Sequence, residues 1–225
     1  MYFKGMMVFL NCFNKFMVLK ACLGDMVRRW NTWMSLFLFG FRFGFCVLDL
    51  GFSLLFFRRG LYMLFACVQA KGRIVFVSGG RLERQVVSKH NAVRCGEYYW
   101  GGLYKGGALS NMKRLIRIDY GVTSVGGALS VGCSNFSYFG GRAPSFVVVL
   151  DPDTCYPAFN EARLMKVPCL GLIDSSMDFC DCSYPVCVNT GSFEVISSFG
   201  AICSNIVNFS KFFERAKFVD RVGIW

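Results

Sequence analysis

Four short patterns in this sequence carry residue types that could do chemistry. The run Val147-Val148-Val149-Leu150 leads into Asp151-Pro152-Asp153-Thr154. An apolar strand ending in two carboxylates two residues apart suits phosphoryl transfer: one aspartate attacks, the other moves a proton, and Mg²⁺ sits between them. Leu170 to Ile173, followed by Asp174-Ser175, supplies a second strand with a carboxylate and a hydroxyl at its end. Ser78-Gly79-Gly80-Arg81 follows a strand-like run and precedes a helix-like one, where an α/β sheet receives a phosphate. It is not GxGxxG and lacks the Lys-Ser/Thr pair of a P-loop, so a tight strand-to-helix turn is the better reading. Cys180, Cys182 and Cys187, with Cys169 or Cys155 as a fourth, are zinc-binding residue types, but C-x-C-x₄-C matches no common zinc spacing. His90 is the only histidine, so a Ser-His triad or a histidine-bearing metal site has little to build on, and His90 itself reads as a solvated helix residue.

The elements that must position these groups follow from short apolar runs. They are Phe45 to Leu50, Arg73 to Ser78, Phe146 to Asp151 and Cys169 to Asp174, with a weaker run at Tyr98 to Trp100. Continuous rather than alternating hydrophobicity predicts strands covered on both faces, hence a parallel sheet. Helix-length segments lie between them, at 53–70, 81–94 and 160–166. A long one, capped by Ser192, runs through Ile196, Phe199, Ile202, Ile206 and Phe209 towards Arg215. Strands alternating with helices predict an α/β layer fold. Residues 121–142 are Gly/Ser-rich without periodicity and read as a loop. In such a fold Val147 to Thr154 resembles the first motif of haloacid-dehalogenase-type phosphotransferases. That family places the motif near its N-terminus, whereas 74 residues follow Asp151 here. A phosphohydrolase using Asp151 and Asp153 is therefore the alternative reading, not the first.

Composition narrows the classes. The chain has 225 residues, 54% hydrophobic and 17% charged, so low-hydrophobicity disorder is excluded for the chain as a whole. Phe (25) and Gly (24) are abundant, while His (1), Gln (2), Thr (4) and Pro (5) are scarce. The abundant types have codons built from G and T and the scarce ones do not, which points to a G+T-rich coding strand of the organellar kind. The 12 cysteines are irregularly spaced in a large chain and read as reduced packing residues rather than disulfides. Charged residues interrupt every apolar run short of the ~20 residues a membrane helix needs, so no span is expected. Net charge is +11, unevenly placed: residues 1–117 hold 18 Lys/Arg against four acids, and residues 118–225 hold seven against ten. A basic half on a folded chain is an electrostatic footprint for a polyanion, most often nucleic acid.

Three blocks together resemble ribosomal protein S2, the second protein of the bacterial and organellar small ribosomal subunit. Arg28-Arg29-Trp30-Asn31-Thr32-Trp33-Met34, then Phe39-Gly40 and Val47-Leu48-Asp49-Leu50, is similar to W-N-P-x-M followed by a strand ending in D-L. Gly72 to Val77, Arg94 to Tyr99 and Gly102-Leu103-Tyr104-Lys105-Gly106-Gly107-Ala108-Leu109-Ser110-Asn111 resemble the family's LFV strand, helix, tyrosine and R-W-L-G-G-T-L-T-N. Pro144 to Asp151, Glu161-Ala162-Arg163, Val167-Pro168 and Asp174 to Asn189 resemble P-D-x-x-x-V-x-D, E-A-x-K-L-x-I-P and D-T-N-C-D-P…Y-P-I-P-x-N. The family has no cysteine ligand set at the positions of Cys180, Cys182 and Cys187. Its long charged helical hairpin is reduced here to the 32 residues 112–143.

The resemblance implies a Rossmann-like, flavodoxin-type parallel sheet flanked by helices, no enzymatic activity and no small-molecule substrate. It implies no cofactor beyond magnesium carried by RNA. The partners it implies are small-subunit rRNA and neighbouring ribosomal proteins. Arg28, Arg29, Lys105, Lys113, Arg114 and Arg117 are then expected on phosphates, Tyr104 and Asn111 on bases, and Asn31 among the RNA-binding residues beside them. Trp30 is either a base-stacking residue or a core anchor. Arg81, Arg84 and Lys89 are either phosphate contacts or a solvated helix face. The expected organisation is a basic apolar extension over 1–27 (an import leader or a docked arm), one α/β domain over 28–217 with the reduced insert, and a tail over 218–225. The biased composition fits a mitochondrial ribosome better than a bacterial one.

Overall fold

The structure is a computed structural model that describes residues 14–102, 104, 106–111 and 144–222, with side chains described up to residue 214. Five strands form one parallel sheet: β4 (Ile74–Ser78), β5 (Tyr98–Gly101), β6 (Phe146–Val149), β7 (Cys169–Ile173) and β8 (Tyr184–Cys187). Their spatial order is β5-β4-β6-β7-β8. Counted within the sheet this is 2-1-3-4-5, the flavodoxin-type doubly wound order. Registers such as Val75 beside both Tyr98 and Val147 align the strands.

Both faces of the sheet are covered, which is why the strands read as unbroken apolar runs. Side chains alternate between two layers. Ile74, Phe76, Phe146, Val148, Leu170 and Leu172 face α1 (Leu50–Gln69), α2 (Leu82–Cys95) and α4 (Phe193–Val222). There Phe57 and Phe199 stack with centroids 5.0 Å apart. Val75, Val77, Val147, Val149 and Ile173 face α3 (Pro152–Leu164) and the segment carrying Met34 and Phe37. Close approach of α1 to the sheet depends on Gly60, where a Cβ would come within 2.5 Å of Leu170 Cδ1.

One expectation needs correcting. The run Phe45 to Leu50 does not join the parallel sheet. It forms β3 (Phe45–Leu48), the centre of a separate antiparallel sheet with β1 (Leu23–Met26) and β2 (Leu38–Arg42), ordered β1-β3-β2. Asp49 then ends the strand and caps α1, its Oδ1 accepting from Gly51 N at 2.8 Å and Phe52 N at 3.2 Å. N-terminal to residue 28, Phe16 and Ala21 are buried in the core, and Phe16 meets Phe57 edge-on at 6.1 Å. At the other end α4 continues past 217 to Val222. Among the described residues, one helix, Leu50–Gln69, is long and apolar enough to cross a membrane by length and composition. Here Leu54, Phe57, Leu64 and Val68 form its buried stripe against the domain core. The insert 112–143 lies outside the described residues.

Candidate nucleic-acid interface

In a doubly wound sheet the ligand crevice lies beyond the carboxyl ends of the strands where the order reverses, here between β4 and β6. That position is filled by the chain's own side chains. Asp151, two residues past the end of β6, is fully buried and forms an ion pair with Arg84 Nη1. The same nitrogen reaches Asp153 Oδ2 at 3.3 Å, and Arg84 Nη2 donates to Thr190 O at 3.0 Å. Thr154 Oγ1 donates to Asp151 Oδ2 at 2.9 Å. Burial pushes the Asp151 carboxyl up, against the pull of the Arg84 guanidinium. The glycine turn after β4 is filled in the same way. A Cβ at Gly79 would lie 2.5 Å from Thr154 Oγ1, and one at Gly80 (φ +65°) would lie 2.8 Å from Thr154 Cγ2. Ser78 to Arg81 is thus a tight turn packed on α3. The Asp151/Asp153 phosphotransferase reading is corrected by the guanidinium that neutralises the would-be nucleophile.

The remaining strand ends join a polar rim. Asp174, after β7, accepts from Thr190 Oγ1 at 3.0 Å and from Ser175 N at 2.6 Å. Ser175 Oγ accepts from Asp25 N at 2.8 Å, and Ser175 O accepts from Asn31 N at 2.9 Å. These bonds fasten the antiparallel sheet, and with it Arg28 and Arg29, to the end of the parallel sheet. An open pocket of about 520 Å³ lies along this rim, lined by Asp25, Arg29, Asp153, Asp174, Asn189 and Gly191 among others.

A second polar anchor holds the glycine loop. Glu161 on α3 is 9% exposed and accepts from Gly107 N at 2.5 Å, Leu109 N at 2.9 Å and Ser110 N at 3.2 Å. Successive backbone N–H groups converging on one anion form a nest, and this nest is occupied by the chain's own carboxylate.

The expected interface residues separate into distinct groups. Arg28, Arg29, Arg81 and Lys89 are exposed. Arg29 pairs loosely with Asp25 at 3.8 Å. Asn111 is exposed at the end of the glycine loop. Trp30 is half-buried with its ring edge-on to Phe41 at 5.4 Å. Asn31 caps the following 3₁₀ segment, its side chain accepting from Trp33 N at 3.0 Å. Arg84 is not on the outer helix face: it belongs to the buried ion-pair cluster. Tyr104 does not present a stacking face. Its ring packs 5.9 Å from Trp100 against the core, its hydroxyl is buried, and burial pushes that hydroxyl well above the ordinary tyrosine value. Lys105, Lys113, Arg114 and Arg117 lie outside the described residues. Sequence reasoning passed over Arg42, Phe39, Phe43 and Trp33, all exposed on the N-terminal sheet and its approach. Their signal was an arginine among aromatics in 33–45.

Among the described residues, no group of three or more His, Cys, Asp or Glu is placed to hold a metal ion. The family model for ribosomal protein S2 matches residues 17–120 and 135–208, most of the chain and all of its sheet. The chain belongs to the ribosomal protein S2 family. Among its relatives, the small ribosomal subunit protein uS2 of Paramagnetospirillum magneticum is 27% identical over 209 residues, covering 82% of this chain and 77% of the relative. The uS2 of Chlamydia caviae is 28% identical over 214 residues, 85% of this chain and 77% of its own length. That of Granulibacter bethesdensis is 27% identical over 206 residues, 82% and 79%. Membership gives the chain a structural ribosomal role rather than an enzymatic one, in keeping with a switch point closed by Arg84 and Asp151.

Proposed function

We propose that this S2-family chain is a structural constituent of the mitochondrial small ribosomal subunit, where it binds small-subunit rRNA and neighbouring ribosomal proteins. One observation carries the RNA-binding part. Arg28, Arg29, Arg81 and Lys89 keep their side chains exposed, while Arg84 and the strand-end aspartates are consumed inside the fold. With the switch point between β4 and β6 filled by Arg84 and Asp151, the exposed basic side chains are the cationic groups left to meet phosphates at the surface. Asn111, exposed at the end of the Glu161-held loop, joins this surface. Lys105, Lys113, Arg114 and Arg117, outside the described residues, are proposed as further phosphate contacts from the sequence alone. The mitochondrial assignment rests on the excess of Phe, Gly and Cys over His, Gln, Thr and Pro, the pattern of a G+T-biased organellar gene. The reduced stretch 112–143 stands in place of the family's hairpin. Sequencing the RNA recovered with a tagged full-length chain from intact cells tests this reading. Enrichment of mitochondrial small-subunit rRNA is expected, and recovery of no rRNA above background contradicts it.

A further inference from the structure

The turn between β2 and β3 breaks a local rule. The two strands are joined by a two-residue loop, Phe43-Gly44, with φ +51° and +79°. Positive φ at both positions is the type I′ hairpin, whose first position favours asparagine and glycine because a bulky side chain is strained there. Phenylalanine takes that position here, and its side chain gains no burial in exchange: Phe43 is 87% exposed. Local strain retained without packing benefit points to a use outside the fold.

The surroundings of Phe43 say what kind of use. The Arg42 guanidinium lies over its ring, 5.3 Å from the centroid. Val27 N donates to Gly44 O at 2.9 Å, which sets the Arg28-Arg29 turn beside the hairpin tip. Arg28, Arg29 and Arg42 are all exposed, and Asp25 is the only acid in residues 23–48. Phe39 on the same hairpin is 81% exposed. Aromatic rings with one accessible face beside a group of arginines match a strand of unpaired nucleotides: bases stack on the rings and phosphates meet the cations.

The geometry points to the Phe43 tip as a stacking platform for an unpaired RNA base, with Arg42, Arg28 and Arg29 holding the flanking phosphates. This deepens the rRNA reading and rests on it. The test is fluorescence anisotropy with the full-length chain, a 12-nucleotide single-stranded RNA and a 12-base-pair RNA duplex. Phe43→Asn suits the turn better than phenylalanine, so its thermal midpoint should equal or exceed that of the parent. It should bind the single strand about tenfold more weakly, the size of one lost base–aromatic stack, and the duplex nearly unchanged. Phe43→Trp should keep the affinity and show RNA-dependent quenching beyond that of the parent's own tryptophans. Parental affinity in Phe43→Asn, or no added quenching in Phe43→Trp, overturns the platform. So does loss of ribosome association in Phe43→Asn with single-strand affinity intact, which would assign the tip to a protein neighbour. If the parent chain binds neither RNA, the rRNA reading itself falls; if the parent binds and Phe43→Asn binds equally, only the platform does.

Discussion

Arg84 reaches from the first turn of α2 across the end of the parallel sheet to the carboxylate of Asp151, which is fully buried. The pair locks α2 to the β6–α3 junction where a doubly wound enzyme would keep its ligand crevice. Removing one partner strands the other charge in the interior. Arg84→Ala should therefore destabilise the fold by about 3–5 kcal/mol in urea unfolding. Arg84→Met with Asp151→Leu, which removes both charges, should lose much less. Equal losses in the two variants would mean that the pair is not coupled.

Asp151→Asn leaves the buried Arg84 guanidinium without its counter-charge and should lower the unfolding midpoint, but the molecules that fold should still associate with ribosomal particles, since the carboxylate acts within the fold. A phosphatase activity that the parent shows and Asp151→Asn lacks would revive the enzyme reading. An inactive parent supports the structural role.

Glu161 fastens the glycine loop through three backbone N–H groups. Hydrogen bonds to a charged acceptor are each stronger than neutral ones, so Glu161→Ala should cost about 2–3 kcal/mol. Hydrogen exchange at Gly107, Leu109 and Ser110 should accelerate in that variant while amides in β4 stay protected. Unchanged exchange at those three amides would show that the loop holds without its anchor.

Buried thiols make stability fall with rising pH in the alkaline range. Burial pushes Cys95 and Cys155 each up to about 12 from an ordinary value of 9.0. A group whose value is raised on folding keeps its proton longer in the native state. The native state then binds more protons than the unfolded one between 9.0 and about 12, and stability falls as pH rises through that window. Urea unfolding from pH 8 upwards should show this fall, and Cys155→Ala should flatten it. An identical slope in Cys155→Ala would show that this thiol does not contribute to the fall.

Much of the parallel sheet was legible because strands buried on both faces read as unbroken apolar runs. The gaps have physical causes. β8 carries Pro185, which argues against a strand but is tolerated because β8 lies at the sheet edge. The run at Phe45 is as apolar as the others, and hydrophobicity alone does not say which sheet a strand joins. For Arg84 the signal was present. Arg84, Val87, Ser88, Asn91, Ala92 and Cys95 make a single buried stripe at helical spacing, with Arg81 and Lys89 off it. Tyr104 carried no such signal, because its contact with Trp100 depends on how the loop after β5 folds back.

Phosphate contacts make binding salt-dependent, by a slope of about one per contact. Arg28→Gln with Arg29→Gln should lower the log–log salt slope of rRNA binding by roughly two, with little change in thermal midpoint because both side chains are exposed. An unchanged slope would take these arginines off the RNA.

The proposed place of this chain is the mitochondrial small ribosomal subunit. Sedimentation of a mitochondrial lysate through a sucrose gradient, with the full-length chain tracked against small-subunit rRNA, tests it most directly. The chain should peak with the small-subunit and monosome fractions and move to the top of the gradient after ribonuclease treatment. A chain that stays at the top without ribonuclease, or that sediments only with membranes, would contradict it.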